Sequence, residues 1–304
     1  MDRLDSMYVF VTVVEMGSFS AAGRKLGIPL PTISRKIAEL ETYIKTGLLN
    51  RTTRKLSLTD AGKVYLSACK QILDAVSEAE SEAAGEYSSP KGQLIITAPI
   101  VFGRLHVLPV VVDFLKAYPD VDVQLVLGDR LLDLLEEHIN LAIRIGELPD
   151  SSNIATRIGS IRQVVCASPQ YLSTHGTPAK PQDLIKHECI TLPVLTMPDV
   201  WVFKSSRGKE SIPIHSRLVV NTAEAAIDAA VAGVGLVSAL SYQVEFAIKS
   251  GALCTVLEKF ESAPMPVSMM FKGQRILPLK LRAFLDFASP RLRQRLMSDL
   301  KRSV

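Results

Sequence analysis

Residues 17–44 constrain the fold more than any other stretch of this chain. Gly17 stops an apolar helical run, Ser18 offers a hydroxyl N-cap, and Phe19–Leu26 continues as a second helix. Its Ala21, Ala22 and Gly23 let another helix cross closely. Gly27 ends it, Ile28-Pro29 makes the turn, and Pro31 suits the first turn of a third helix. There Ile33, Ile37, Leu40 and Ile44 form one apolar stripe, with Pro31, Thr32, Arg35, Ala38, Glu39 and Thr42 opposite and Ser34 on the flank. Two short helices about a tight Gly-bearing turn, the second with a polar outer face, make a helix-turn-helix.

The flanks extend this module. Leu4, Met7, Val11 and Val14 follow helical spacing, although the β-branched run from Val9 to Val14 weakens the local preference. Leu48 to Thr59 alternates about a basic tip, which predicts a short hairpin, or wing. The first 64 residues hold ten Lys or Arg against six acids, while the other 240 hold 25 of each. All of the +4 net charge thus lies in the first fifth of the chain, the footprint of a nucleic-acid-binding module.

From Thr59 to about Ser89 a long acidic helix is expected, capped by Thr59 with Asp60 set against its dipole. Leu66, Cys69, Leu73, Val76 and Ala83 recur in steps of three and four, a short heptad seam. That seam suits pairing with a second copy; packing onto its own chain is the alternative. Tyr87 to Gly92 breaks the helix and marks a boundary.

Beyond it, apolar runs alternate with helical patterns. Strands are expected at Leu94–Ala98, Val121–Leu127, Leu141–Ile145, Gln163–Ala167, Ile212–Val220, Gly235–Ala239 and Val267–Phe271. Helices are expected at Phe102–Ala117, Arg130–Glu137, Thr222–Ala232, Ser241–Lys249 and Leu279–Arg295. This alternation predicts an α/β fold with mostly parallel sheets.

Several functions find no support. The four cysteines form no CxxC pair and read as reduced, mostly buried side chains, and the five histidines have no metal-ligand spacing. No nucleophile elbow or P-loop is present, so neither an enzyme nor any cofactor is expected. Gly233-Val234-Gly235 follows a helix and precedes a strand, the reverse of a dinucleotide site. The apolar stretches are too short to span a bilayer, and Asp2 and Asp5 do not suit a secretory leader, so a cytoplasmic location without membrane contact is expected.

The run Gly17 to Ala22 through Leu26-Gly27, then Thr32 to Ile37 with Leu40-Glu41, resembles the LysR-type transcriptional regulators. Leu48 to Arg54 and Leu56 to Gly62 continue the likeness with family spacing. Gly92-Gln93-Leu94, Phe102-Gly103-Arg104, Ala142 to Gly146 and Ala230 to Gly235 extend it over nearly the whole chain. The resemblance implies an all-α winged helix-turn-helix over 1–59, a dimerising linker helix over 60–90, and over 91–304 an α/β effector domain. That domain would be two-lobed and like a type 2 periplasmic binding protein. Expected partners are double-stranded promoter DNA, a small-molecule effector held between the lobes, a second copy in a homodimer or homotetramer, and RNA polymerase. Two departures stand out. Pro29-Leu30 replaces a polar pair before the third helix, and Ile44-Lys45-Thr46 replaces Leu-Gly-Val.

Within this frame Arg35 is the candidate for base reading, because its fork matches guanine in the major groove. Ser18, Pro31, Thr32 and Ser34 are candidate phosphate or base contacts, and Arg51 and Arg54 of the wing are candidates for phosphate or the minor groove. In the sensor, Thr97, Pro99 and Ile100 join a strand to a helix, where free amides would suit an anionic effector. Ile145, Gly146, Asn221 and Thr222 are the opposing walls implied by the resemblance. Thr97 and Thr222 could equally be caps, and Ile145 core.

Overall fold

The β-branched run near the start is helical in the computed structural model, which describes residues 2–51, 56–83, 89–129, 139–148, 153–192, 200–206, 208–273 and 277–301. Helix α1 (Arg3–Met16) begins at Asp2, whose carboxylate accepts from the Leu4 and Asp5 amides. Burial overrides the weak propensity: Val9, Phe10 and Val13 are wholly enclosed. The expected stripe is displaced accordingly, with Leu4 exposed and Met7 and Val14 at the margin of the core. Helices α2 (Phe19–Leu26), α3 (Leu30–Ile44) and α4 (Asp60–Ala83) all pack on α1, which therefore needs more than one apolar stripe.

The chain divides into two compact units, Met1–Gly92 and Gln93–Val304. In the first, Ile33, Ile37 and Leu40 of α3 close on α1 and Ala22. Strands β1 (Leu49–Arg51) and β2 (Leu56–Leu58) form the expected antiparallel wing; Arg54 at its tip lies outside the described residues. On α4, Cys69 is fully buried and Leu66 and Leu73 pack on the same core, near the Phe10–Tyr65 ring pair at 5.8 Å. These members of the heptad seam thus face their own chain. Among the described residues of α4, the large apolar side chains Val64 and Ile72 are exposed.

The second unit holds two five-stranded mixed sheets. In chain order its elements are β3 (Gly92–Ala98), α5 (Ile100–Phe102), a π-helical turn over Gly103–Val107, α6 (Leu108–Ala117), β4 (Val121–Leu127), β5 (Leu141–Ile145) and β6 (Asn153–Ile161). There follow β7 (Gln163–Ala167), α7 (Pro169–His175), β8 (Glu188–Thr191), β9 (Val200–Ser205), β10 (Gly208–Pro213), β11 (His215–Val219), α8 (Ala223–Val231), β12 (Leu236–Leu240), α9 (Ser241–Lys249), β13 (Cys254–Val256), β14 (Met265–Lys272) and α10 (Leu279–Lys301). One sheet has the order β4-β3-β5-β14-β6 and the other β11-β8-β12-β7-β13, while β9 and β10 form a hairpin.

The sheets are not mostly parallel as expected. Among the pairings described in register, β3–β5, β8–β11 and β8–β12 are parallel, whereas β14 runs against β5 and β6, and β7 against β12 and β13. The cause is a crossover: β6 leaves the first sheet, and after Arg162 the chain enters the second as β7. The return as β14 completes two lobes. The single strand expected at Ile212–Val220 is two, because β10 ends at Pro213, which has no amide donor, and β11 joins another sheet. Helix Phe102–Ala117 is interrupted by its π turn, since Pro109 cannot donate to the Leu105 carbonyl. The expected helix Arg130–Glu137 lies outside the described residues. All four cysteines are free, and only Cys254 is exposed. Among the described residues no helix is long and apolar enough to cross a membrane.

Candidate functional site

The helix-turn-helix is held by contacts that fix where α3 points. Ser18 Oγ accepts from the Ala21 amide at 3.4 Å, so this hydroxyl caps α2. The Ile28 amide donates to the Gly23 carbonyl at 3.0 Å, and a Cβ on Gly23 would lie 2.8 Å from the Ile28 oxygen. Only glycine lets the turn fold so tightly. Pro29 precedes α3 without a side-chain cap, Pro31 sits in its first turn, and the Thr32 amide donates to the Pro29 carbonyl at 2.9 Å.

The outer face of α3 is then settled by its stripe. Leu30, Pro31, Arg35, Ala38, Glu39 and Thr42 are exposed, and Thr32 and Ser34 half-buried. The Arg35 side chain is 71% exposed, with Nε 3.8 Å from Glu39 Oε1, a loose surface pair that leaves its fork available. Lys36, one residue on, is bound to Asp5 of α1 and turned away from that face. The structure thus brings Pro31, Thr32, Ser34 and Arg35 onto one helix end, and places Ser18 apart as a cap. Arg51 ends β1, with only its backbone described.

Position 45 explains one departure from the family pattern. Lys45 is left-handed, with φ 55°, where the family's glycine would sit without strain. Its amide still closes α3 on the Thr42 carbonyl at 3.2 Å. Glu41 Oε1 accepts from the Leu48 and Leu49 amides at 2.8 and 3.1 Å, tying α3 to the wing.

In the sensor, β3 and β5 run side by side with Thr97 against Ala142, so Thr97, Pro99, Ile100, Ile145 and Gly146 gather where both strands end. Such carboxyl ends are where open α/β sheets hold ligands. Thr97 is fully buried and its Oγ1 makes no hydrogen bond, so it is not a cap. The Ile100 amide is not free: it donates to Asp129 Oδ1 at 3.1 Å, so a carboxylate of the chain already occupies the start of α5. Ile145 packs at the edge of the core, and the Gly146 amide donates to the Pro266 carbonyl at 2.9 Å. Asn221 and Thr222 belong to the other lobe. Thr222 Oγ1 caps α8 by accepting from the Ala225 amide at 3.3 Å, and Asn221 is exposed.

Three rings clasp the lobes. Phe102 and His106 of the first contact Tyr242 of α9 edge-on at 5.6 and 5.4 Å. Burial, helped by the nearby Arg295 charge, lowers the His106 pKa to about 4, and keeps this ring neutral. Sequence reasoning passes over two polar groups here, Asp129 and Arg144. Arg144 had a legible signal, a cation inside the apolar run Leu141–Ile145, and the structure buries it.

Comparison with known proteins decides the family. The description "Bacterial regulatory helix-turn-helix protein, lysR family" matches residues 4–63, and "LysR substrate binding domain" matches residues 88–293. The chain belongs to the LysR family of transcription regulators. An HTH-type transcriptional regulator of Xanthomonas campestris pv. campestris is 36% identical over 293 residues, covering 95% of this chain and 85% of the relative. The full-length Vibrio cholerae virulence activator AphB superposes with TM-score 0.59 at 30% identity, over 94% of this chain and 98% of AphB. CrgA of Neisseria meningitidis, a LysR-type transcriptional regulator, gives 0.60 at 31% over 95% and 98%. As a LysR regulator the chain joins a helix-turn-helix DNA-binding domain to an effector-binding domain.

Proposed function

We propose that this regulator reads promoter DNA through α3 and the wing, with residues 1–59 as the reader, 60–90 as the linker and 91–304 as the sensor. The observation that carries the proposal is the exposed Arg35 on the outer face of α3, backed by the buried Ile33, Ile37 and Leu40. Arg35 enters the major groove and pairs with guanine. Pro31, Thr32 and Ser34 lie against bases or phosphates beside it, Ser18 positions α2 on the backbone, and Arg51 and Arg54 hold phosphate or the minor groove. Leu30, exposed at the head of α3, meets a thymine methyl.

Two exposed apolar faces support a dimer that pairs again into a tetramer. Val64 and Ile72 on α4, with the half-buried Ala68 between them and the exposed Ala75 beyond, form the first. Leu105, Leu108, Val112 and Leu115 form the second on and before α6, complemented by Phe246 of α9, which is 84% exposed. The effector sits between the lobes against Thr97, Pro99, Ile100, Ile145, Gly146, Asn221 and Thr222. Its binding closes the lobes and alters the spacing of the paired readers. The regulator works in the cytoplasm, alongside RNA polymerase, and catalyses no reaction. Footprinting on the DNA upstream of its own gene tests the scheme. Two protected half-sites on one face of the duplex, about one or more helical turns apart, are expected. A single unpaired footprint contradicts it.

A further inference from the structure

Arg144 is 5% exposed, and its Nε and Nη2 are fully enclosed without a hydrogen bond. A guanidinium stays charged in a protein, and a buried charge without a partner is costly, so this position calls for an anion. Its neighbours define what kind. In the β3–β5 register Thr97 stands against Ala142, and Arg144 lies two residues further along the same face. Ser268 stands opposite Arg144 across β14. Thr97 Oγ1 is also fully buried and unbonded, so two orphaned donors share one face at the carboxyl ends of parallel strands. The rest of that face is apolar: Ile95, Ala142 and Met270.

We propose that Arg144, with Thr97 beside it, binds the carboxylate of a singly charged organic acid, which is the effector of this regulator. The proposal rests on the effector reading above and names the effector's class. It also moves the anion away from the start of α5, where Asp129 already accepts the Ile100 amide. The planar fork of Arg144 matches both oxygens of a carboxylate, and the Thr97 hydroxyl donates to one of them. Apolar surroundings favour an acid with a hydrocarbon body over a doubly charged inorganic ion.

The test is thermal unfolding of the full-length protein with formate, acetate or benzoate. Formamide, acetamide and benzamide serve as neutral partners and sulfate as an inorganic control, all at constant ionic strength. At least one carboxylate is expected to raise Tm by about 5 °C at a roughly hundredfold excess over its Kd, with no rise for its amide. Arg144→Met removes an unpartnered charge, so the variant is expected to be at least as stable as the parent and to lose the response. Thr97→Val is expected to weaken carboxylate binding about tenfold without loss of stability. A response shared by the amides or sulfate, no response to any carboxylate, or a response surviving in Arg144→Met overturns the proposal. An Arg144→Met protein that is destabilised or fails to fold also overturns it, because Arg144 then has a partner within the chain. Binding to the upstream DNA, measured on the same samples, separates the failures. A carboxylate-silent protein that still binds DNA loses only this inference, whereas one that binds no DNA loses the regulator reading itself.

Discussion

The Cα of Gly62 lies so close to the Leu48 carbonyl that a Cβ there would come within 2.0 Å of the oxygen. Thr59 completes the joint. Its amide donates to Leu48 O at 3.0 Å, its Oγ1 donates to Gly47 O at 2.8 Å, and the same Oγ1 accepts from the Gly62 amide at 2.9 Å. The first turn of α4 is thereby locked to the chain entering the wing. Gly62→Ala must push β1 and α4 apart, at a cost of about 2–3 kcal/mol. Circular dichroism melts should show a lower first transition, and DNA affinity should fall with it. A variant as stable as the parent would mean the joint is looser than this packing implies.

Lys45 offers the opposite change. Its left-handed conformation costs a side-chain-bearing residue about 1 kcal/mol, part of which glycine returns as unfolded-state entropy. Lys45→Gly should therefore stabilise the first unit by roughly 0.5 kcal/mol, read as a higher urea midpoint. A lower midpoint would show that the lysine side chain contributes more than its backbone strain costs.

His106 gives the fold an acid-sensitive element. Burial holds its folded pKa at about 4, against 6.5 for the free side chain. Between these values the unfolded chain binds a proton that the folded chain does not. Stability from this group is therefore full above pH 6.5 and declines as pH falls toward 4, by about 1.4 kcal/mol per unit and about 3 kcal/mol in all. His187, also lowered by burial, acts in the same direction. Urea titrations at pH 7 and pH 5 should show a smaller loss for His106→Leu than for the parent. Equal losses would place the acid sensitivity elsewhere.

The α4 face makes a separate prediction. Ile72 is exposed while Leu66, Cys69 and Leu73 are taken up by the core of their own unit. Ile72→Glu should weaken self-association at least tenfold in sedimentation velocity and leave helical content unchanged, since Ile72 is not among the buried residues of its own unit's core. An unchanged assembly would move the pairing surface off α4.

Much of this was legible in sequence for identifiable reasons. Strands β4, β5 and β7 and helix α9 have the bounds their apolar runs predict, because each is short, regular and bordered by turn residues. The helix-turn-helix was legible because glycine, proline and one stripe at helical spacing all agree. Strand β6 was not, since Arg157 and Gly159 interrupt its pattern, and β13 has only three residues. Periodicity shows the stripe on α4 without showing what it covers, and Leu66, Cys69 and Leu73 cover the core of their own unit. The taken Ile100 amide and the orphaned Arg144 donors depend on surroundings distant in sequence, the Asp129 acceptor for one and the strands β3 and β14 beside the other. No local pattern contains such surroundings.

Sequence reading through the exposed Arg35 of α3 is the proposal on which the rest of the function depends. Fluorescence anisotropy of the full-length protein on its own upstream DNA, across a salt series and with Arg35→Ala alongside, tests it most directly. Tight, sequence-selective binding is expected, weakened by Arg35→Ala by about 1–3 kcal/mol with selectivity relaxed at one base position. Equal, weak binding to any duplex, unchanged by the substitution, would contradict it.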